Sequence, residues 1–259
     1  MEKPVTPPNL EHIRREIDDV DRAMLELLER RFAAIEAIKA IKGKDSEQGG
    51  SPVRPAREAE ILRRLHRLRQ GSVPVHLMVR LWRSIISAAT SAQANVTVHI
   101  TEDIDTDDHW REMVREHFAG LPRRRQLTAR GVIEESTMSR SDIGVVKTDS
   151  DWIAPLVESK GPKVIGMLPF IARCSQAPAM LILGRAKAEP SGDDETLIGL
   201  AAEGMVPEQH LWQVKAGTYK CVSLPGFLDE KSPEVIRLKA TGEDVVILGR
   251  CPCPLETRP

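Results

Sequence analysis

Aromatic side chains are scarce in this chain: Phe, Tyr and Trp together make up 3% of its 259 residues. A core must therefore be built from Leu, Ile, Val and Ala. No apolar run approaches the roughly 20 residues that a membrane-spanning helix needs. Nor does one sign of charge dominate. The formal net charge is −1, which argues against a general binder of nucleic acid or membrane surfaces. The opening "MEKPVTPPN" has no apolar stretch of the kind that marks a secretory leader, so the cytoplasm is the expected compartment. The first half has no cysteine; the four are Cys174, Cys221, Cys251 and Cys253. The "CPC" near the end has neither a second well-spaced pair nor a His-x-x-x-His partner. No metal is expected, and the thiols read as reduced and structural.

What remains describes an ordinary globular protein, with 41% hydrophobic and 29% charged residues. The length fits two domains better than one. Charge is unevenly spread: up to Asn95 there are 17 Lys and Arg against 13 Asp and Glu, and beyond it 20 against 25. Cationic chemistry is thus placed in the first part of the chain.

From Asn9 to Lys42 apolar residues recur at helical spacing: Leu10, Ile13, Ile17, Val20, Met24, Leu27, Ala34, Ile38 and Ile41. Neither Gly nor Pro interrupts the stripe, and Asn9 is a suitable N-cap. At about 1.5 Å per residue the helix is roughly 50 Å long, too long to pack only within its own short module. So narrow a seam calls for a partner helix, supplied by a second copy of the chain. "GKDSEQGGSP" has loop composition. A second helix follows over 55–70, with Pro55 in its first turn. A third runs over 74–94 and carries Leu77, Met78, Leu81, Trp82, Ile85, Ile86 and Ala89. The character then changes. "VTVHI", "DIGVV", "PKVIGMLPF", "AMLILGR", "TYKCVSLPGF" and "DVVILGR" read as strands, with helices at "DHWREMVREHF", "RGVIEESTMS" and "SPEVIRLKA". The expected architecture is an all-α module over residues 1–95 followed by an α/β domain over 96–259.

Several polar residues stand out against this frame. Arg31 occupies the gap in the apolar stripe, where a charge costs several kcal/mol unless paired, although snorkelling is its ordinary explanation. Lys42 follows eleven residues later, close to three turns and about 16 Å along the same side. Two such side chains leaning together can clasp a small metabolite. Arg14 lies about 25 Å from Arg31 on another face, where it can serve only a partner's pocket. On the second helix Arg57 and Glu58 border the buried face at an anion-favouring N-terminus. Arg54 and Glu58 also suit an i, i+4 surface pair worth a few tenths of a kcal/mol. Gln93 continues the face of Trp82, Ile86 and Ala89. Each has a plain structural explanation alone. Together, Arg31, Lys42, Arg57, Glu58 and Gln93 place long polar groups on the inner sides of three helices.

The strings "LEHIRREIDDVDRAMLELLERRFAAIEAIKAIK", "PVRPAREAEILRRL" and "LWRSIISAATSAQ" together resemble the all-helical class of chorismate mutases, in one register over residues 10–93. The resemblance implies an intertwined helical homodimer with two equivalent sites. It also implies a Claisen rearrangement of chorismate to prephenate without cofactor. Under it Arg31 binds one substrate carboxylate and Arg14 of the other subunit binds the second. Lys42 and Gln93 donate to the ether oxygen, Glu58 accepts from the ring hydroxyl, and Arg57 supports the carboxylate. The residue types suit the reaction, which needs neither nucleophile nor proton transfer. Arginine forks hold a compact conformer, and preorganised donors meet the charge that grows on the ether oxygen. Two positions depart from the family pattern: Arg54 stands where Asp is usual, and Ala89 where some members place Ser.

The second half bears a weaker likeness to prephenate dehydratase and its regulatory module, through "SDIGVVKTDSDW", "APAMLILGRAKAEPSGDDETL" and "PEVIRLKATGEDVVILGRCP". Pro178, Ala179 and Met180 stand where that family's catalytic Thr-Arg-Phe would be. A remnant without dehydratase activity is the expectation, and an unrelated α/β domain is the alternative. For the whole chain, a non-catalytic protein that binds aromatic metabolites is the rival to an enzyme. Helical DNA binding is disfavoured, because the arginines lie partly on inner faces.

Overall fold

The computed structural model describes residues 9–42, 51–241 and 244–256. The chain divides into two compact units, Met1–Gly49 and Gly50–Pro259. In the first, one α-helix, α1 (Leu10–Lys42), runs unbroken for 33 residues. It starts as the sequence predicts: the Asn9 Oδ1 accepts from the His12 N–H at 2.8 Å, satisfying one of the orphan donors of a helix start. The apolar stripe of α1 stays exposed from Leu10, Ile13 and Ile17 through Val20, Met24 and Leu27 to Ile38 and Ile41. Most of the loop string that follows, "GKDSEQGGSP", lies outside the described residues, as does the side chain of Lys42.

The second unit opens with α2 (Pro55–Leu68) and α3 (Val75–Gln93). Composition and motif divide the chain near residue 95, but packing divides it near residue 50. The reason is visible in the contacts of α2. Ala59 and Leu62 share a hydrophobic cluster with Met78 and Val79 of α3 and with Phe170 and Leu255 from far along the chain. Arg63 donates to the Asp193 and Cys253 carbonyls at 2.7 and 2.8 Å and to the Ser191 Oγ at 2.9 Å. These links make α2 part of the same body as the sheet.

The sheet comprises β1 (Val98–Thr101), β2 (Arg123–Gln126), β3 (Ile143–Lys147), β4 (Lys163–Leu168), β5 (Met180–Gly184), β6 (Asp194–Ala201), β7 (Trp212–Ala216), β8 (Tyr219–Pro225) and β9 (Val246–Pro252). Its order is β2-β1-β3-β5-β4-β9-β6-β8-β7. The pairs β1–β2, β1–β3 and β4–β9 are parallel and the others antiparallel. Helices α4 (Glu102–Thr106), α5 (Asp108–His117), α6 (Ala129–Met138), α7 (Ile153–Ser159) and α8 (Pro233–Ala240) complete the unit. No helix among the described residues is long and apolar enough to cross a membrane.

Five of these elements escape the sequence reading: β2, β6, β7, α4 and α7. The strand β2 is "RRRQ", with no hydrophobic pattern to find; it forms by backbone pairing with β1, and its exposed arginines suit a sheet edge. The two sides of the sheet meet only where β4 lies beside β9, and Gly249 sits opposite Val164 there. A Cβ on Gly249 would lie 2.1 Å from the Val164 carbonyl oxygen, so the backbones must separate to admit one. Gly249→Ala is expected to cost about 1–3 kcal/mol as overpacking. That corresponds to a fall of roughly 2–10 °C in Tm, and an unchanged thermal midpoint would contradict this close approach.

Candidate functional site

On α1 the structure places Arg14 in the open and Arg31 half-buried. Arg31 fills the gap between Leu27 and Ala34, with its Nη1 buried and without a hydrogen-bond partner. Burial lowers its pKa from the usual arginine value, yet a guanidinium starts so far above neutrality that it keeps its charge. The helix is continuous from Arg14 to Lys42. The pitch argument that sets Arg31 and Lys42 on one side and Arg14 on another therefore holds for the backbone.

The second helix begins where the sequence predicts, with Pro55 in its first turn and the Glu58 N–H donating to the Arg54 carbonyl at 3.0 Å. Glu58 does border the buried face. Its Oε2 accepts from the Arg83 Nη1 at 2.6 Å, and the two side chains are only 14% and 7% exposed. Arg57 does not share that side: it is exposed and pairs with Glu60 at 2.9 Å. Arg54 binds Glu189 at 2.8 Å rather than Glu58, because Glu58 is turned inward to Arg83. Gln93 donates from Nε2 to the Ala89 carbonyl at 3.1 Å, and Ala89 is buried. The structure thus joins Glu58 to Arg83, while Arg54, Arg57 and Gln93 each bind another group.

Arg83 is the residue that sequence reasoning missed. The expected apolar face of α3 included Leu77 and Leu81, but these are 52% and 38% exposed. The buried side instead carries Met78, Val79, Arg83, Ile86, Ser87, Ala89 and Thr90. Of its smaller polar members, Ser87 donates to the His117 carbonyl of α5 at 3.4 Å and Thr90 to the Ile86 carbonyl one turn back at 3.0 Å. The available signal was the step of Val79, Arg83, Ile86 and Thr90 by threes and fours, with the cation counted as an inward residue. Arg83 also lies over the Phe170 ring, 4.8 Å from its centroid, a cation–π distance. Neighbouring His117 is buried and neutral; burial first, and then the Arg83 charge, push its pKa well below the ordinary value.

Two of the buried polar groups in the sheet are titratable groups with close side-chain partners, His99 and Glu195. His99 contacts Asp142 at 3.3 Å, but its second ring nitrogen meets Gln126 at 3.2 Å, not a hydroxyl or thiol. Glu195 is fully buried; its Oε2 accepts from the Trp212 Nε1 at 2.8 Å and from the Ser223 hydroxyl, and its Oε1 has no partner. Burial raises its pKa to about 7 against these two bonds. The folded state therefore holds a proton that the unfolded state releases between pH 4.5 and 7. Stability from this group declines as pH rises through that window and is flat above it. Relative to Glu195→Gln, the wild type should lose roughly 3 kcal/mol between pH 4 and pH 8 in urea titrations. Parallel pH profiles for the two proteins would show that the carboxyl ionises normally.

Comparison with known proteins bears on the helices. Residues 13–94 match the family model described as chorismate mutase type II. Over this part of the chain the helices are similar to a chorismate mutase type II domain. Among curated relatives, the bifunctional chorismate mutase/prephenate dehydratase of Neisseria gonorrhoeae is 33% identical over 85 residues, which is 33% of this chain and 22% of that protein. The enzyme of the same description from Aquifex aeolicus is 30% identical over 148 residues, 54% of this chain and 39% of that protein. That second alignment is longer than the mutase region, so part of it lies in the α/β region. The matches span well under half the length of either relative. Among solved structures, a quorum-quenching acylase aligns with a TM-score of 0.41 and 13% identity, over 61% of this chain and 95% of its own. A prephenate dehydratase from Streptococcus mutans aligns with a TM-score of 0.40 and 9% identity, over 63% and 100%.

Proposed function

We propose that this chain is a chorismate mutase that converts chorismate to prephenate without a cofactor, within aromatic amino-acid synthesis in the cytoplasm. The match of residues 13–94 to the mutase family carries this reading. In that register Arg31 holds one substrate carboxylate and Arg14 of a second subunit holds the other, so the two forks keep the substrate folded. Lys42 and Gln93 donate to the ether oxygen as its bond lengthens and negative charge grows there. Glu58 accepts from the ring hydroxyl, Arg57 supports the carboxylate, and the Arg54 and Ala89 positions line the substrate. The exposed seam of α1 supports a homodimer with sites shared between subunits, since so long an apolar stripe is normally covered by another helix. The module of residues 1–95 performs the chemistry. The region 96–259 acts as a regulatory or structural appendage without dehydratase activity, having Pro178, Ala179 and Met180 in place of a catalytic Thr-Arg-Phe.

A second reading is a non-catalytic protein that binds the same metabolites. Two observations favour it: Arg54 replaces the usual Asp, and Glu58 is already ion-paired with Arg83. Incubating the full chain with chorismate separates the two. Prephenate formation supports the enzyme; thermal stabilisation by chorismate without turnover supports the binder.

A further inference from the structure

A cavity of about 120 Å³ lies between α3, α5 and the segment that follows β4. Its walls are mostly apolar, with Val79, Met113, Leu168, Pro169, Phe170 and Ile171. Arg80 and Glu116 pair at 3.1 Å and are partly exposed, which marks its entrance. A dry cavity of comparable size, about 150 Å³, accepts one benzene ring, so the space suits a single ring or a branched alkyl group. Arg83 lines both this cavity and a smaller adjoining one. It is more than nine-tenths buried, and its Nε has no hydrogen-bond partner. Glu58 takes Nη1, which leaves the edge formed by Nε and Nη2. That edge is one of the two that hold a carboxylate with parallel bonds. A buried donor left unmet destabilises the fold, and a ligand acceptor removes that cost.

We propose that this cavity binds a small apolar carboxylic acid, its ring or branched chain against Phe170, Met113 and Val79 and its carboxylate on Arg83. The His117 ring beside Arg83 is neutral, and the Arg80–Glu116 pair leaves the entrance without net charge, so Arg83 is the group that fixes the carboxylate. The site lies within the second unit and does not depend on mutase chemistry, so its failure and the failure of the enzymatic reading are separable.

The test uses the full chain with benzoate, phenylacetate and 3-methylbutanoate as probes and benzamide as the uncharged control. Calorimetry should show saturable binding of at least one acid, about tenfold or more tighter than the amide, as expected when a charge-assisted fork is lost. The Met113 methyl and His117 ring NMR signals should move on titration. Met113→Trp, which fills the cavity and leaves the Arg83–Glu58 pair in place, should abolish binding while circular dichroism confirms the fold; Val79→Phe serves if that variant does not fold. Absence of binding by every acid, equal binding of the amide, or binding that leaves the Met113 and His117 signals unmoved would each overturn the proposal. Binding retained in the filled variant would overturn it as well.

Discussion

Replacing Arg31 by alanine is expected to abolish prephenate formation by the full chain without unfolding it. The rearrangement is unimolecular, so most of what a protein can contribute is conformational restraint and charge stabilisation. A guanidinium fork supplies restraint through two parallel bonds, and lysine cannot reproduce that geometry; Arg31→Lys should therefore recover little. Lys42→Ala should slow turnover by about 10²–10³-fold, as when a donor to developing negative charge is removed. Turnover that survives Arg31→Ala, Lys42→Ala and Arg57→Ala would end the assignment of these residues. Sharing between subunits has its own signature. Arg14→Ala and Arg31→Ala should each be inactive alone, yet a refolded equimolar mixture should regain about a quarter of wild-type activity, because each mixed dimer restores one of its two sites. A mixture as inactive as its components would show that each site is built from a single chain.

The second large effect concerns stability. Arg83→Met leaves Glu58 largely buried without its counter-charge, and breaking such a pair from one side typically costs about 3–5 kcal/mol. The double variant Arg83→Met with Glu58→Leu should recover much of that loss, since an apolar replacement of a whole buried pair is often neutral. Arg57→Ala, which removes an exposed pair with Glu60, should cost no more than about 1 kcal/mol. Urea denaturation of the four proteins gives the comparison. If Arg83→Met were no more harmful than Arg57→Ala, the Arg83–Glu58 pair would not hold α2 to α3.

Local patterning accounts for much of the architecture. A helical stripe free of Gly and Pro, with Asn9 before it, specified α1 to within a residue of its ends, because capping and helical periodicity act over a few residues. The apolar runs that became β3, β4, β5, β8 and β9 were found for the same reason. The "RE" pair, Arg31 and Lys42 were visible as types and spacings. Other features depended on segments far apart in the chain. The strand β2 exists because β1 offers it a paired edge, and nothing in "RRRQ" signals a strand. The buried side of α3 turned toward Val79, Arg83 and Ser87 because Glu58, Phe170 and the His117 carbonyl lie there to meet them. Likewise Arg57 and Glu58, adjacent in sequence, parted to opposite environments once Arg83 was available to one and Glu60 to the other. A charge is buried only where a distant partner compensates it, so burial of Arg83 was a property of the assembled fold and not of its own neighbourhood in the chain.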